Sequence, residues 1–189
     1  RIESLSRRWK PHSLGSTANM RAVIQRVNRA SVIVAGEITG SIERGLCLLI
    51  GITHADTQDD LNYIVDKTLN MRIFAEESGD SGFDQSVQDV AGGILLVSQF
   101  TLYASTRKGR RPGFMDAARP EQAEPMFNEL VDLFKLNGGL RVETGVFGAS
   151  MEVESENAGP VTIILDSEDR HTPRRSESSS TIPPDQLLR

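Results

Sequence analysis

Residues 92–102 read GGILLVSQFTL, an apolar run that turns polar as it ends. Ile94 to Val97 give way to Ser98, Gln99 and Thr101, flanked by Phe100 and Leu102. That is the pattern of a buried strand carrying polar groups to the edge of a core. Taken alone, the segment is more readily an ordinary core strand with satisfied hydroxyls. Its neighbours decide what kind of sheet it enters.

Upstream, Ala22 to Ile42 alternates apolar with polar residues, punctuated by Gly36 and Gly40, and predicts antiparallel strands joined by tight turns. Gly45 to Thr53, GLCLLIGIT, is a continuous apolar strand covered on both faces, the expected centre of the sheet. Thr57 to Met71 places Leu61, Ile64, Val65, Thr68 and Leu69 at helical spacing, with Thr57 and Asp60 spaced as a capping box. Glu76 to Asp89, rich in Gly, Asp and Ser, reads as a loop.

Downstream, Ala104 to Ala118 holds Gly109, Pro112 and Gly113 among basic residues, and a loop that long in a compact domain is more often functional than idle. A second helix is expected from about Pro120 to Asn137, with Gly138 as its stop. Pro125 either kinks it or marks where its regular part begins. Strands are expected at Leu140 to Phe147, Ser150 to Ser155 and Val161 to Asp166.

The 189 residues fit one domain with tails. Residues 20–166 are expected to form that domain. Residues 1–19, basic and Ser-containing, read as a disordered leader or extraneous upstream segment, the latter being favoured. Residues 167–189 are nearly devoid of apolar side chains and are expected to be a disordered polar tail. Setting aside the 4 basic and 1 acidic groups of the first segment, and the 4 and 4 of the last, leaves 13 basic and 21 acidic of the chain's 21 and 26. A domain near −8 is no general nucleic-acid coat, so contact with RNA calls for a local patch. Arg107, Lys108, Arg110 and Arg111 offer one, although charge alone equally describes a solvated loop.

No run approaches the ~18 apolar residues of a membrane span, and a soluble protein is expected. The single cysteine, Cys47, lies in an apolar strand as a small buried hydrophobe, which predicts a reducing, cytoplasmic setting. Only three histidines occur, two of them in the tails, and no Gly-x-Ser-x-Gly is present, so a side-chain triad is hard to assemble. Paired His or Cys at ligand spacing are missing too, and neither a metal nor an organic cofactor is expected. Backbone groups remain as the source of chemistry. Asn157 to Thr162, NAGPVT, stands out because Gly-Pro can point two carbonyl oxygens outward, as acceptors for an amino group. By itself it is also simply a turn into the last strand.

QRV at Gln25 to Val27, SQFTL at Ser98 to Leu102, RPGF at Arg111 to Phe114 and NAGPVT at Asn157 to Thr162 occur in that order. Together they resemble the D-aminoacyl-tRNA deacylase (D-tyrosyl-tRNA deacylase) family, from Met20 to about Leu165. The resemblance implies an α/β fold in which antiparallel and mixed sheets form a barrel-like core with two packed helices. It implies a tRNA-binding hydrolase of translation quality control that frees D-amino acids from tRNA and rejects glycine poorly. It further implies a homodimer in which a cis Gly159-Pro160 of one subunit enters the pocket of the other beside SQFTL. Gly159 and Pro160 would then hold the substrate's amino group, Phe100 and Thr101 would meet the ester carbonyl, and Arg26 would brace the Gly-Pro motif. Phe114 would line the pocket, Gln99 would orient the SQFTL turn, and Ser98 belongs to the same catalytic string. Thr101 lacks a neighbouring base in sequence and is a weak nucleophile without one, so backbone amides are the preferred catalytic groups. Two rivals stand beside this reading. One is a sibling deacylase acting on an L-amino acid; the other is a non-catalytic protein that binds nucleic acid or a partner through its C-terminal tail.

Overall fold

The computed structural model describes residues 19–76, 83–107 and 109–172. A long first strand, β1 (Arg21–Val34), turns through Ala35 and Gly36, both at positive φ, into β2 (Glu37–Ile42), and β3 (Gly45–Gly51) follows. The first half of β1 pairs antiparallel with β3 and the second half with β2. Helix α1 (Gln58–Asn70) then carries the chain across to β4 (Gly93–Ser98), which lies parallel to β3. A second crossover, α2 (Pro120–Gly138), leads to β5 (Val142–Thr144), parallel to β4. Parallel neighbours need such crossovers, so the two helices and the mixed sheet arise together. The last strand, β6 (Glu152–Asp166), returns antiparallel along the whole of β1.

The sheet order β2-β1-β3-β4-β5, with β6 on the outer side of β1, curls into a nearly closed barrel. Gly40 of β2 marks the closure: a Cβ there would lie 2.5 Å from the carbonyl oxygen of Thr144 in β5. Strands β3 and β4 are buried on both faces, as their unbroken apolar runs predict. Leu46, Leu48, Ile50, Ile94 and Leu96 pack under the helices against Leu61, Ile64, Phe127, Leu130 and Phe134. Cys47, Leu95 and Val97 face the other way, with Val27, Val32 and Ile42.

Several local expectations change. The first helix has the predicted cap, Asp60 Oδ2 accepting from the Thr57 backbone N–H at 2.8 Å. Helix α2 begins at Pro120 and runs through Pro125. That proline forfeits a bond only to Glu121, in the exposed first turn, where water can replace it. The helix ends one residue later than expected, on Gly139 in the left-handed region at φ +59°. The strand anticipated over 140–147 shrinks to Val142–Thr144. The two anticipated strands after it are one, β6, with the Gly-Pro motif inside it rather than before it.

Order also extends past Asp166, where a disordered tail was expected to begin. Ser167–His171 forms a 3-10 turn docked on the start of α1. The fully buried Ser167 donates through Oγ to Asp60 Oδ1 at 2.7 Å, and Arg170 reaches the same oxygen at 3.3 Å. Those polar contacts supply what the segment's scarce apolar side chains cannot. Burial opposes ionisation of Asp60, but the hydrogen bonds from Ser167 and Thr57 and the charge of Arg170 outweigh it and hold the carboxyl below its usual range. Residues 1–18 and 173–189, expected as disordered flanks, lie outside the described residues.

Candidate active site

At Ser98 the strand β4 stops and the chain tightens into a 3-10 turn, Phe100–Tyr103. The Gln99 backbone N–H donates to the Ile50 carbonyl at 2.7 Å, and Leu102 N–H donates to the Gln99 carbonyl at 3.3 Å. The first N–H groups of such a turn have no carbonyl one turn behind them, so Phe100 and Thr101 present backbone donors at the strand end. The Gln99 side-chain amide donates to the Thr101 hydroxyl. No His, Asp, Glu or Lys among the described residues hydrogen-bonds that hydroxyl.

Two residues that sequence reasoning passed over fix this turn. Arg21, at the start of β1, donates from Nη1 to the Leu102 carbonyl at 3.3 Å and pairs through Nε with Asp166 at 3.0 Å. Its guanidinium also lies 5.1 Å from the centre of the Tyr103 ring. The Tyr103 hydroxyl is directed at the carbonyls of Asn19 and Gly51, and burial followed by the charge of Asp56 drives its pKa upward.

Beside the turn opens a cleft of about 530 Å³, floored by Ile50 and Val97 and bordered by Ser98, Gln99 and Phe100. Phe100 is 58% exposed and meets Phe114 edge-on, with ring centres 5.0 Å apart. The far walls are Ala117 to Pro120 and the segment Phe147 to Ala149 with Met151. Phe147 and Met151 carry no sequence signal, since they sit in irregular chain between β5 and β6. Behind the wall, Thr53 Oγ1 donates to the Asp116 carbonyl at 2.6 Å, while Thr53 N–H donates to Asp56 Oδ2 at 2.8 Å. Asp56 Oδ1 is buried without a partner among the described residues. Burial first, then the charges of Asp60 and Asp166, push the Asp56 carboxyl up to about 7 against the opposing Thr53 N–H bond.

The Gly-Pro motif is built by a bulge. Gln25 pairs with Thr162 and Val27 with Asn157, so Ala158 to Val161 stand opposite Arg26 alone. The Gly159-Pro160 bond is cis, as the resemblance implies, and Gly159 has φ +118°. Arg26 donates from Nε to the Ala158 carbonyl at 3.1 Å and from Nη1 to the Ile73 carbonyl. Burial, then the nearby charge of Arg44, lowers its pKa. Gly159 and Pro160 are exposed, and neither they nor Arg26 line the cleft that holds Ser98, Gln99, Phe100 and Phe114. The Gly-Pro motif thus lies outside the cleft lining of its own chain. Thr101 is half-buried at the turn, also outside the cleft lining.

Arg107, Arg110 and Arg111 are exposed on a loop closed by Ser105 and Gly113, whose N–H groups and carbonyls exchange bonds of 2.8 and 3.0 Å. Lys108, assigned to the same patch, lies outside the described residues. Among the described residues no group of three or more His, Cys, Asp or Glu could hold a metal ion, and no helix is long and apolar enough to cross a membrane.

Fold and site together define a small barrel protein with two helices packed on its sheet and an apolar cleft beside the turn that follows β4. The D-Tyr-tRNA(Tyr) deacylase family profile matches residues 23–166. A D-aminoacyl-tRNA deacylase of Brevibacillus brevis is 56% identical over 148 residues, 78% of this chain and 100% of that protein. One from Chloroherpeton thalassium is 53% identical, covering 78% of this chain and 96% of that one. The solved structure of a c-Myc DNA unwinding element binding protein superposes with a TM-score of 0.72 at 45% identity, over 77% of this chain and 97% of that one. A structure described as a probable eukaryotic D-amino acid tRNA deacylase shares the fold, with a TM-score of 0.69 at 19% identity over 78% of this chain and 99% of that one. The chain belongs to the D-Tyr-tRNA(Tyr) deacylase family.

Proposed function

We propose that this chain hydrolyses the ester bond of D-aminoacyl-tRNA, releasing D-amino acid and free tRNA, at a site shared between the two subunits of a homodimer. Family membership supports the reaction. The observation that carries the shared site is the separation of a braced, exposed Gly159-Pro160 from its own chain's cleft. A rigid acceptor pair presented to solvent has no role in its own cleft and fits the cleft of a second copy, in a two-fold, self-complementary arrangement.

In that arrangement the carbonyls of Gly159 and Pro160 accept from the substrate's α-ammonium group. The amides of Phe100 and Thr101 meet the oxyanion that forms when water, assisted by the ribose 2'-hydroxyl, attacks the ester; its collapse breaks the ester C–O bond and expels the ribose oxygen, which takes up the proton that the water loses. The Thr101 hydroxyl, engaged by Gln99, positions the turn and does not attack. With the amino group held, a D side chain points outward while an L side chain is driven into the Gly-Pro carbonyls. Discrimination is thus by clash, and glycine, having no side chain, is also cleaved. The loop Arg107–Arg111 meets tRNA phosphates. A cytoplasmic setting goes with this role and with the fully buried free thiol of Cys47.

D-Tyr-tRNA and L-Tyr-tRNA are compared for ester loss, D being cleaved much faster; equal rates reject the chiral filter. The shared site has its own test. Gly159→Ala and Phe100→Ala chains, each impaired alone, recover about a quarter of wild-type activity on co-refolding, because half the dimers are mixed and each has one intact site. No recovery rejects the shared site without touching the activity.

A further inference from the structure

We propose that Arg119, at the lip of the cleft, is a substrate-binding residue that takes the 5'-phosphate of the terminal nucleotide, the phosphate nearest the scissile ester. This rests on the deacylase reading and adds a contact to it. Every other residue lining the cleft is uncharged, so Arg119 sets the sign of the field at its mouth. Among the described residues, Arg21 pairs with Asp166, Arg29 with Glu156, Arg141 with Glu143 and Arg170 with Asp60. Arg119 is exposed, and no ion pair or hydrogen bond among the described residues engages its side chain.

Its backbone, by contrast, is held. Its carbonyl accepts from Gln122 N–H at 3.0 Å and Ala123 N–H at 2.9 Å, and the preceding Ala118 N–H donates to the Ile52 carbonyl at 2.9 Å. The guanidinium therefore springs from a rigid base, where its planar fork suits a phosphate. The substrate's chemistry supplies one candidate. The ester is neutral, the amino group is a cation that Arg119 repels, and the nucleoside is uncharged. The only anion within one nucleotide of the ester is the 5'-phosphate. In a domain with 21 acidic and 13 basic groups over residues 20–166, that anion needs a local cation at the cleft.

The test compares D-tyrosyl-adenosine, esterified on the ribose, with the same ester carrying a 5'-phosphate, and both with D-Tyr-tRNA. Wild type, Arg119→Gln and Arg119→Lys are assayed as full chains. Arg119→Gln is expected to lose roughly tenfold in kcat/KM, mostly through KM, on the phosphorylated ester and the tRNA. On the unphosphorylated ester its loss should be several-fold smaller, and Arg119→Lys should recover part of the loss on the phosphorylated one. Equal losses with and without the phosphate, or no loss anywhere, overturn the assignment. Should the wild type act only on D-Tyr-tRNA, the salt dependence of KM decides: an unchanged slope in Arg119→Gln overturns it. Failure of the wild type on all three substrates sinks the deacylase reading instead.

Discussion

Replacing Gly159 with alanine isolates the Gly-Pro bulge. The new Cβ would stand 2.8 Å from Arg26 Nη2, 3.0 Å from Val161 Cγ2 and 3.2 Å from the Val161 nitrogen. Arg26 is not free to swing aside, because its Nε and Nη1 already serve the Ala158 and Ile73 carbonyls. The backbone is a second obstacle, since φ +118° is rarely adopted by L side chains and such a residue costs of order 1–3 kcal/mol. The flanking pairs Gln25–Thr162 and Val27–Asn157 anchor the bulge, so it should shift while the barrel stays folded. At about 2–4 °C per kcal/mol for a domain this size, the melting temperature should fall by roughly 2–12 °C. A displacement near 1 Å at a positioning group costs on the order of 10²-fold in rate. Single-turnover hydrolysis of D-Tyr-tRNA, beside thermal melts by circular dichroism, measures both. A variant that melts lower yet cleaves within about threefold of wild type would show that this geometry does not hold the substrate.

Thr101→Ala should leave turnover within about tenfold of wild type, since only the Gln99 contact is lost; a loss of several orders of magnitude in kcat would restore the hydroxyl as nucleophile. Replacing Arg107, Lys108, Arg110 and Arg111 together by Ala should weaken tRNA binding and flatten its salt dependence, and an unchanged slope in a binding titration removes the loop from the interface. Asp56 makes a pH prediction. Its folded pKa of about 7 lies above the ordinary carboxylate value, so its contribution to stability is intact below pH ~4 and is lost as pH rises through 7. Asp56→Asn should therefore be the more stable protein at pH 8, by up to about 4 kcal/mol, with the gap narrowing by about 2–3 kcal/mol at pH 5. Urea unfolding at the two pH values checks the sign. Gly40→Val should open the barrel seam against the Thr144 carbonyl, lowering the urea midpoint more than any surface change on β2.

Alternation along β1 and β2, the two unbroken apolar runs of β3 and β4 and the Thr57/Asp60 cap were legible because each depends on residues a few positions apart. The same holds for SQFTL and NAGPVT as strings, whereas the contact of Arg26 with Ala158 spans 132 residues and came into view only through the family resemblance. Chain-distant pairing was not legible. β6 is a single strand only because β1 is long enough to template it on both sides of the bulge, and Asn157 to Thr162 contains nothing that announces a bulge rather than a turn. Ser167 and Arg170 read as tail because their stabilising contact, Asp60, lies more than a hundred residues away. Phe147, Met151 and Arg119 join Phe100 in one cleft through barrel closure alone. The amino-acid sequence by itself determined the first strands, the two helices, the Thr57/Asp60 cap and the residues available at two points of the chain. Tertiary structure decided that those points face different ways, because the twist and closure of the sheet, which no local pattern encodes, set the direction in which a strand end and a bulge present their backbone groups.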